Sequence, residues 1–148
     1  MYVSFIDVNL DPATAKNTAL MQIDQGIDVL YAERLGVIEA AAEKKLWAFG
    51  NMSDQNNLAP DYVVTSAVWN MDPTVDYLIN QVKAGTFTAQ DLKDFSMMGK
   101  GGASLAPFHN TESKLPSELV QKVKNKEKAI QDGTFRVDIN ETQPFPVN

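Results

Sequence analysis

The chain has 148 residues, a formal charge of -6 and an isoelectric point near 4.7, a length that buries a core and makes one domain the expectation. Acidic residues dominate residues 1–98, and the last fifty residues hold seven Lys or Arg against six Asp or Glu, so no electrostatic footprint for nucleic acid exists. There is no cysteine, which excludes disulfide scaffolds, thiolate metal sites and cysteine nucleophiles and leaves the redox compartment open.

Residues 2–8, YVSFIDV, alternate and are rich in strand formers, and predict a first strand. This N-terminus has no basic start and no long apolar core, so it does not read as a signal peptide. No run reaches the roughly 20 apolar residues of a membrane span. The chain as written is therefore expected in the cytoplasm. Asp11 can accept hydrogen bonds from the first free amides of a helix, and Pro12 suits its first position. That helix is expected over residues 12–25, with Ala15, Ala19, Leu20 and Ile23 on one face and Gly26 ending it.

Residues 27–57 carry the organising pattern. A short apolar run at 27–31 precedes a helix near residues 34–45, and a second apolar run at 46–49 ends at Gly50 and opens into a polar loop. Length and punctuation make this a β-α-β unit, whose ligands usually sit beyond the carboxyl ends of the strands. Loop 51–60 is followed by a strand at 62–69, apolar on both parities as in a parallel sheet. A helix near residues 73–84 is expected next, with Asp72 as cap and Val75, Leu78, Ile79 and Val82 as its apolar stripe.

Residues 88–98 fit either a short helical turn at Leu92 or an edge strand at 95–98. The GKGG of residues 99–102 reads as a hinge; it is no Walker A motif, although its amides could approach an anion. A last helix is expected over residues 115–131, with Leu119, Val123 and Ile130 inward, then a short strand at 135–139. The fold class is thus α/β: an open, parallel, twisted sheet with helices on both faces, plus a C-terminal helical part. Residues 1–139 are expected to form one α/β domain and residues 140–148 a flexible tail.

The chemistry points to binding rather than turnover. His109 is the only histidine and lies in a polar turn, expected at the surface or hydrogen bonded. No G-x-S-x-G elbow accompanies it, and no clustered ligands suggest a metal. The loop 51–57 is dense in amides and carboxylates, suited to a sugar or base, or simply to a solvent-facing turn. Trp69 can stack on a planar ligand or pack in the core. Glu33 and Arg34 are a ligand pair or an exposed ion pair. The candidate ligand-binding residues are Asn9, Glu33, Asn51, Asp54, Trp69 and Asn70, with no catalytic residue, metal or cofactor.

The segments DPATAKNTALMQIDQGIDVLY, GVIEAAAEKKLWAFGNMSDQ, VVTSAVWNMD, GGASLAPFH and LPSELVQKVKNKEKAIQDGTFRV occur in that order. Over about residues 3–138 they resemble the C-terminal half of the basic membrane protein family, substrate-binding proteins of ABC importers related to purine nucleoside receptors. The resemblance implies one lobe of a type I periplasmic binding protein, a purine base or nucleoside as ligand, and an ABC permease as partner of the full-length forms. Those forms are periplasmic or extracellular and membrane-attached. It also implies that residues 1–139 are a single ligand-binding lobe. Helix 73–84, deprived of its partner lobe, is then an association surface that either packs back on this domain or pairs two chains. The cleft is completed by a homodimer or by a first lobe supplied from elsewhere. The alternative is an interaction domain derived from such a lobe, with no small-molecule ligand.

Position by position, many relatives read Val-Asp-Ser-Asp-Gln after the third strand. Here Met52 replaces the ribose-binding aspartate, while Ser53, Asp54 and Gln55 match the remainder. Trp69 stands where many relatives have a ligand-contacting lysine. Both exchanges weaken the case for ribose and favour a base stacked on tryptophan.

Overall fold

The computed structural model describes residues 2–6, 11–140 and 142. Helix α1 (Pro12–Asp24) leads into strand β1 (Val29–Tyr31), helix α2 (Val37–Glu43) and strand β2 (Trp47–Met52). Strand β3 (Val63–Trp69), helix α3 (Asp72–Lys83), strand β4 (Ala103–Leu105) and helix α4 (Ser117–Gln131) follow. Short 3-10 turns at Asn56–Leu58, Lys93–Ser96, Met98–Lys100 and His109–Lys114 join them.

Helix α1 starts as its sequence dictates. The Asp11 carboxylate accepts from the Ala13 and Thr14 amides at 3.1 Å each, and Pro12 needs no partner for a missing N–H. Its buried face is only Ala15 and Ala19, which lets α1 lie close against α2. Gly36 makes that approach possible: it holds φ 101, and a Cβ there would run into the Pro12 carbonyl. The same smallness runs through the core, where Ala15, Ala19, Ala32, Ala40, Ala41, Ala48 and Ala59 surround Leu30, Val37, Ile38 and Val63.

The sheet order is β1-β2-β3-β4. β1 and β2 are parallel, as are β2 and β3, whereas β3 and β4 are antiparallel. The sheet is therefore mixed. β4 is a strand the sequence did not announce, because ASL is three residues long and follows directly on the glycines. Gly102 sits against the Phe95 carbonyl where a Cβ would clash, so GKGG is a tight turn feeding β4 rather than a loose hinge. Buried hydroxyls fasten the segment after β4 to β3: Thr65 Oγ1 donates to the Ala106 carbonyl at 2.6 Å, and Thr111 Oγ1 to the Val64 carbonyl at 3.1 Å.

Several expectations are corrected. Residues 2–6 are not a strand, since no neighbouring strand bonds them; residues 7 and 8 of that expectation lie outside the described residues. β2 runs on through Asn51 and Met52 rather than stopping at Gly50. α3 is not capped by the Asp72 side chain; Asn70 Oδ1 accepts the Asp72 amide at 3.1 Å instead. No α3 residue is buried, and Val75, Ile79 and Val82 are exposed, so the stripe does not pack back on the sheet. Of the two alternatives for residues 88–98 it is the helical turn that forms, as 3-10 turns at Lys93–Ser96 and Met98–Lys100, and not the edge strand. In α4 it is Val120 that is buried, while Leu119 faces outward. Residues 135–139 form no strand; Lys126 Nζ lies 3.6 Å over the Phe135 ring. Of the expected tail, residues 141 and 143–148 lie outside the described residues. No helix among the described residues is long and apolar enough to cross a membrane.

Candidate functional site

Three parallel strands end along one edge of the sheet. In register, Tyr31 faces Phe49, Asn51 faces Ala67 and Met52 faces Val68, so the ends of β1, β2 and β3 lie side by side. Tyr31, Met52 and Trp69 are each more than half exposed there, forming an open shelf.

Beneath the shelf runs a connected set of polar contacts. Tyr31 Oη donates to Asn51 Oδ1 at 2.9 Å. The Asn51 amide donates to Gln55 Oε1 at 3.0 Å, and the Gln55 amide donates to Ser66 Oγ at 3.1 Å. Asn51 and Ser66 are buried, so each needs these partners. Gly50 is required at its position, because a Cβ would strike Ser66 Oγ and Gln55 Oε1. Met52 leaves the strand at φ 71 and turns the chain into the loop.

The loop is then tied down at a distance. Asp54 Oδ2 accepts from His109 Nε2 at 2.7 Å, and Asp54 Oδ1 accepts from the Asn56 amide at 3.1 Å. The His109 hydrogen bond holds the Asp54 carboxyl below its ordinary value; the Asn56 amide and the imidazole's charge reinforce this, and partial burial opposes it. His109 itself adopts φ 48. Burial raises the Tyr31 phenol, with the nearby Glu33 carboxylate adding to the effect.

The six candidate residues separate on inspection. Asn51 lies at the shelf with Oδ1 engaged and no partner for Nδ2 among the described residues. Trp69 ends β3 with 54% of its surface exposed, so its ring face is accessible. Asp54 is occupied by His109 and holds the loop. Asn70 is a clamp: Nδ2 donates to the Gly101 carbonyl at 3.1 Å while Oδ1 caps α3. Glu33 pairs with its neighbour Arg34 at 2.7 Å in the open, a contact worth at most about 1 kcal/mol. Asn9 lies outside the described residues. Sequence reading did not pair His109 with Asp54, 55 positions apart, nor did it single out Ser66. Neither carries a local signal, since a lone histidine and a strand serine are common.

A concavity lies elsewhere. A groove of about 750 Å³ is lined by residues 2–6, α1 and residues 27–31, together with Val37 of α2 and Phe49 of β2. It reaches Tyr31, Glu33 and Arg34 but not Asn51, Asp54 or Trp69. No group of three or more His, Cys, Asp or Glu among the described residues is placed to hold a metal.

The family described as Bmp, ABC transporter substrate-binding protein PnrA-like, matches residues 1–141. A purine-binding protein of Brucella abortus (strain 2308) is 29% identical over 136 residues, covering 88% of this chain and 36% of that protein. Among solved structures, a transcriptional activator of the comK gene from Bacillus halodurans superposes with a TM-score of 0.69 at 21% identity over 90% of this chain and 47% of that one. An ABC transporter solute-binding protein from Aeropyrum pernix K1 gives 0.61 at 19% identity, over 89% of this chain and 46% of its own. One from Conexibacter woesei DSM 14684 gives 0.57 at 22% identity, over 86% and 43%. The chain thus spans less than half the length of each of these.

Proposed function

The chain belongs to the Bmp family of PnrA-like ABC transporter substrate-binding proteins, and from that premise we propose that its strand-end shelf is one wall of a site for a purine base. Membership supports the class: binding for transport, with a small-molecule ligand and a permease as partner. The observation that carries the finer reading is the exposed Trp69 ring at the end of β3, one strand from the mostly buried Asn51 side chain near the end of β2, whose Nδ2 has no partner among the described residues. An indole face holds any purine by stacking, and Asn51 Nδ2 can donate to a ring nitrogen or carbonyl. Met52 supplies no carboxylate for ribose hydroxyls, so the base is favoured over the nucleoside.

An open shelf buries one face of a planar ligand, and burying 70–90% of a small ligand takes a cleft. The opposing wall comes from polypeptide beyond this half-length chain or from a second copy. The exposed stripe of α3 is the surface we assign to that association, since an apolar helix face left open marks an interaction site.

Titration calorimetry with adenine, guanine, xanthine and their nucleosides tests the reading. Heat with a base, weaker with its nucleoside, supports it. Silence across the whole panel, with the chain folded, favours an interaction lobe that has no small-molecule ligand.

A further inference from the structure

Strand pairing puts Tyr31, Asn51 and Trp69 on one face of the sheet. Tyr31 pairs with Phe49, and Asn51 pairs with Ala67. Side chains two residues apart on a strand share a face. Phe49 and Asn51 are so related on β2, and Ala67 and Trp69 on β3, so the three side chains follow one another across adjacent strands. Strand spacings set the Cα atoms of Asn51 and Trp69 roughly 8 Å apart, within the span of a purine.

The middle residue has its two side-chain functions split. Asn51 Oδ1 accepts from Tyr31 Oη at 2.9 Å. The direction follows from the phenol: its lone pair is delocalised into the ring, so its O–H is a good donor and its oxygen a poor acceptor. Burial and then the Glu33 carboxylate raise the phenol further, so it keeps its proton at neutral pH. Asn51 Nδ2 has no partner among the described residues. No buried side-chain nitrogen or oxygen among them is left unsatisfied. Nδ2 therefore reaches the surface, although the residue as a whole is buried.

An asparagine with both functions open reads adenine through both: Oδ1 accepts from the 6-amino group while Nδ2 donates to N7. That pairing is closed here, because Oδ1 is committed to Tyr31. A 6-oxopurine offers two neighbouring acceptors, O6 and N7, on the same edge, and both suit an amide that only donates. Adenine would set its amino donors against a donor and leave them unpaired, which is costly once water is excluded. The surrounding groups do not restore an acceptor. Gln55 Oε1 takes the Asn51 amide and Ser66 Oγ takes the Gln55 amide. Asp54 is engaged at both oxygens, by His109 and the Asn56 amide, and Glu33 is paired with Arg34.

We propose that Tyr31 sets the specificity of the shelf: by holding Asn51 Oδ1 it leaves a donor-only amide, and the site takes 6-oxopurines in preference to 6-aminopurines. The inference rests on the purine-base reading above and narrows it. Tyr31 is a positioning residue in this, acting on the ligand through Asn51.

The test is a titration of the full chain with hypoxanthine, unsubstituted purine and adenine, followed by calorimetry and by the Asn51 side-chain amide signal in NMR. The three bases share the ring system and N7 and differ at position 6. The expected order of affinity is hypoxanthine, purine, adenine, with about ten-fold or more between first and last. The Asn51 Nδ2 protons should shift most with hypoxanthine. Tyr31→Phe releases Oδ1 and should bring the hypoxanthine-to-adenine ratio to within about three-fold of unity, chiefly by tightening adenine. A phenol that merely supports the fold would lower all three affinities together and keep the ratio, which overturns the proposal. Adenine bound as tightly as hypoxanthine by the parent chain overturns it too, whether or not the variant folds, and leaves the purine reading standing. Silence with all three bases at millimolar concentration removes that reading and the proposal with it.

Discussion

The phenol of Tyr31 donates to the side-chain oxygen of Asn51 across 2.9 Å, joining the ends of β1 and β2 just below the shelf. Asn51 is 6% exposed whereas Tyr31 is 56% exposed. The asymmetry decides what the bond is worth. Tyr31→Phe leaves a buried acceptor short of a partner, while water can reach only part of the vacated space. A loss of about 0.5–1.5 kcal/mol is expected in urea unfolding. Unchanged stability would mean that solvent already satisfies Asn51.

Gly50→Ala is expected to be worse. The new methyl meets both Ser66 Oγ and Gln55 Oε1, the two groups that hold the loop. Overpacking of this kind costs about 1–3 kcal/mol. Adding Ser66→Ala should recover only part of it, because the Gln55 amide then loses its acceptor. A double-mutant cycle that shows strict additivity would remove Gly50 from this contact.

The Asp54–His109 tether makes the loop acid-sensitive. The folded Asp54 carboxyl is held below its ordinary value of 3.8, so the unfolded chain binds its proton first. The stabilisation is fully present above that ordinary value and is lost as pH falls through the lower folded value. Asp11 is lowered in the same direction by Thr14 and the first helix amides. Part of the acid dependence should therefore remain in Asp54→Asn. Urea midpoints from about pH 6 down to about pH 3 should fall less steeply in Asp54→Asn than in the parent chain. Equal slopes would show that the tether is not formed in solution.

Trp69→Ala separates stacking from packing. With the ring more than half exposed, its removal should change stability by less than about 1 kcal/mol. Stacking on a base is worth about 1–3 kcal/mol. A five- to 150-fold loss of purine affinity is therefore expected by calorimetry, with the melting temperature nearly unchanged. The reverse pattern would place the indole in the core.

Ile79→Asp addresses the exposed face of α3. The residue is 44% exposed on a helix with no buried residue, so the change should alter stability by no more than about 0.5 kcal/mol. If the stripe is an association surface, sedimentation of the parent chain should depend on concentration and that of Ile79→Asp should not. A substantial fall in unfolding free energy would instead show the face packed within the chain.

The sequence by itself determined the local pieces whose causes are local. Asp11 and Pro12 start α1, Gly26 ends it, and hydrophobic period separates α2 from the strands on either side. Those signals act within a few residues of where they are read, and they were enough to place Tyr31, Asn51 and Trp69 near strand ends. Only the tertiary structure decided what depends on partners far along the chain. β4 exists because Val68 and Trp69 give a three-residue segment something to pair with, while residues 2–6, with better strand chemistry, have no neighbour and form none. The same cause bonded Asn70 to the Gly101 carbonyl and to the start of α3 and joined His109 to Asp54. A hydrogen bond rewards proximity in space, and proximity between positions 54 and 109 is a property of the packed sheet that no pattern along the chain encodes.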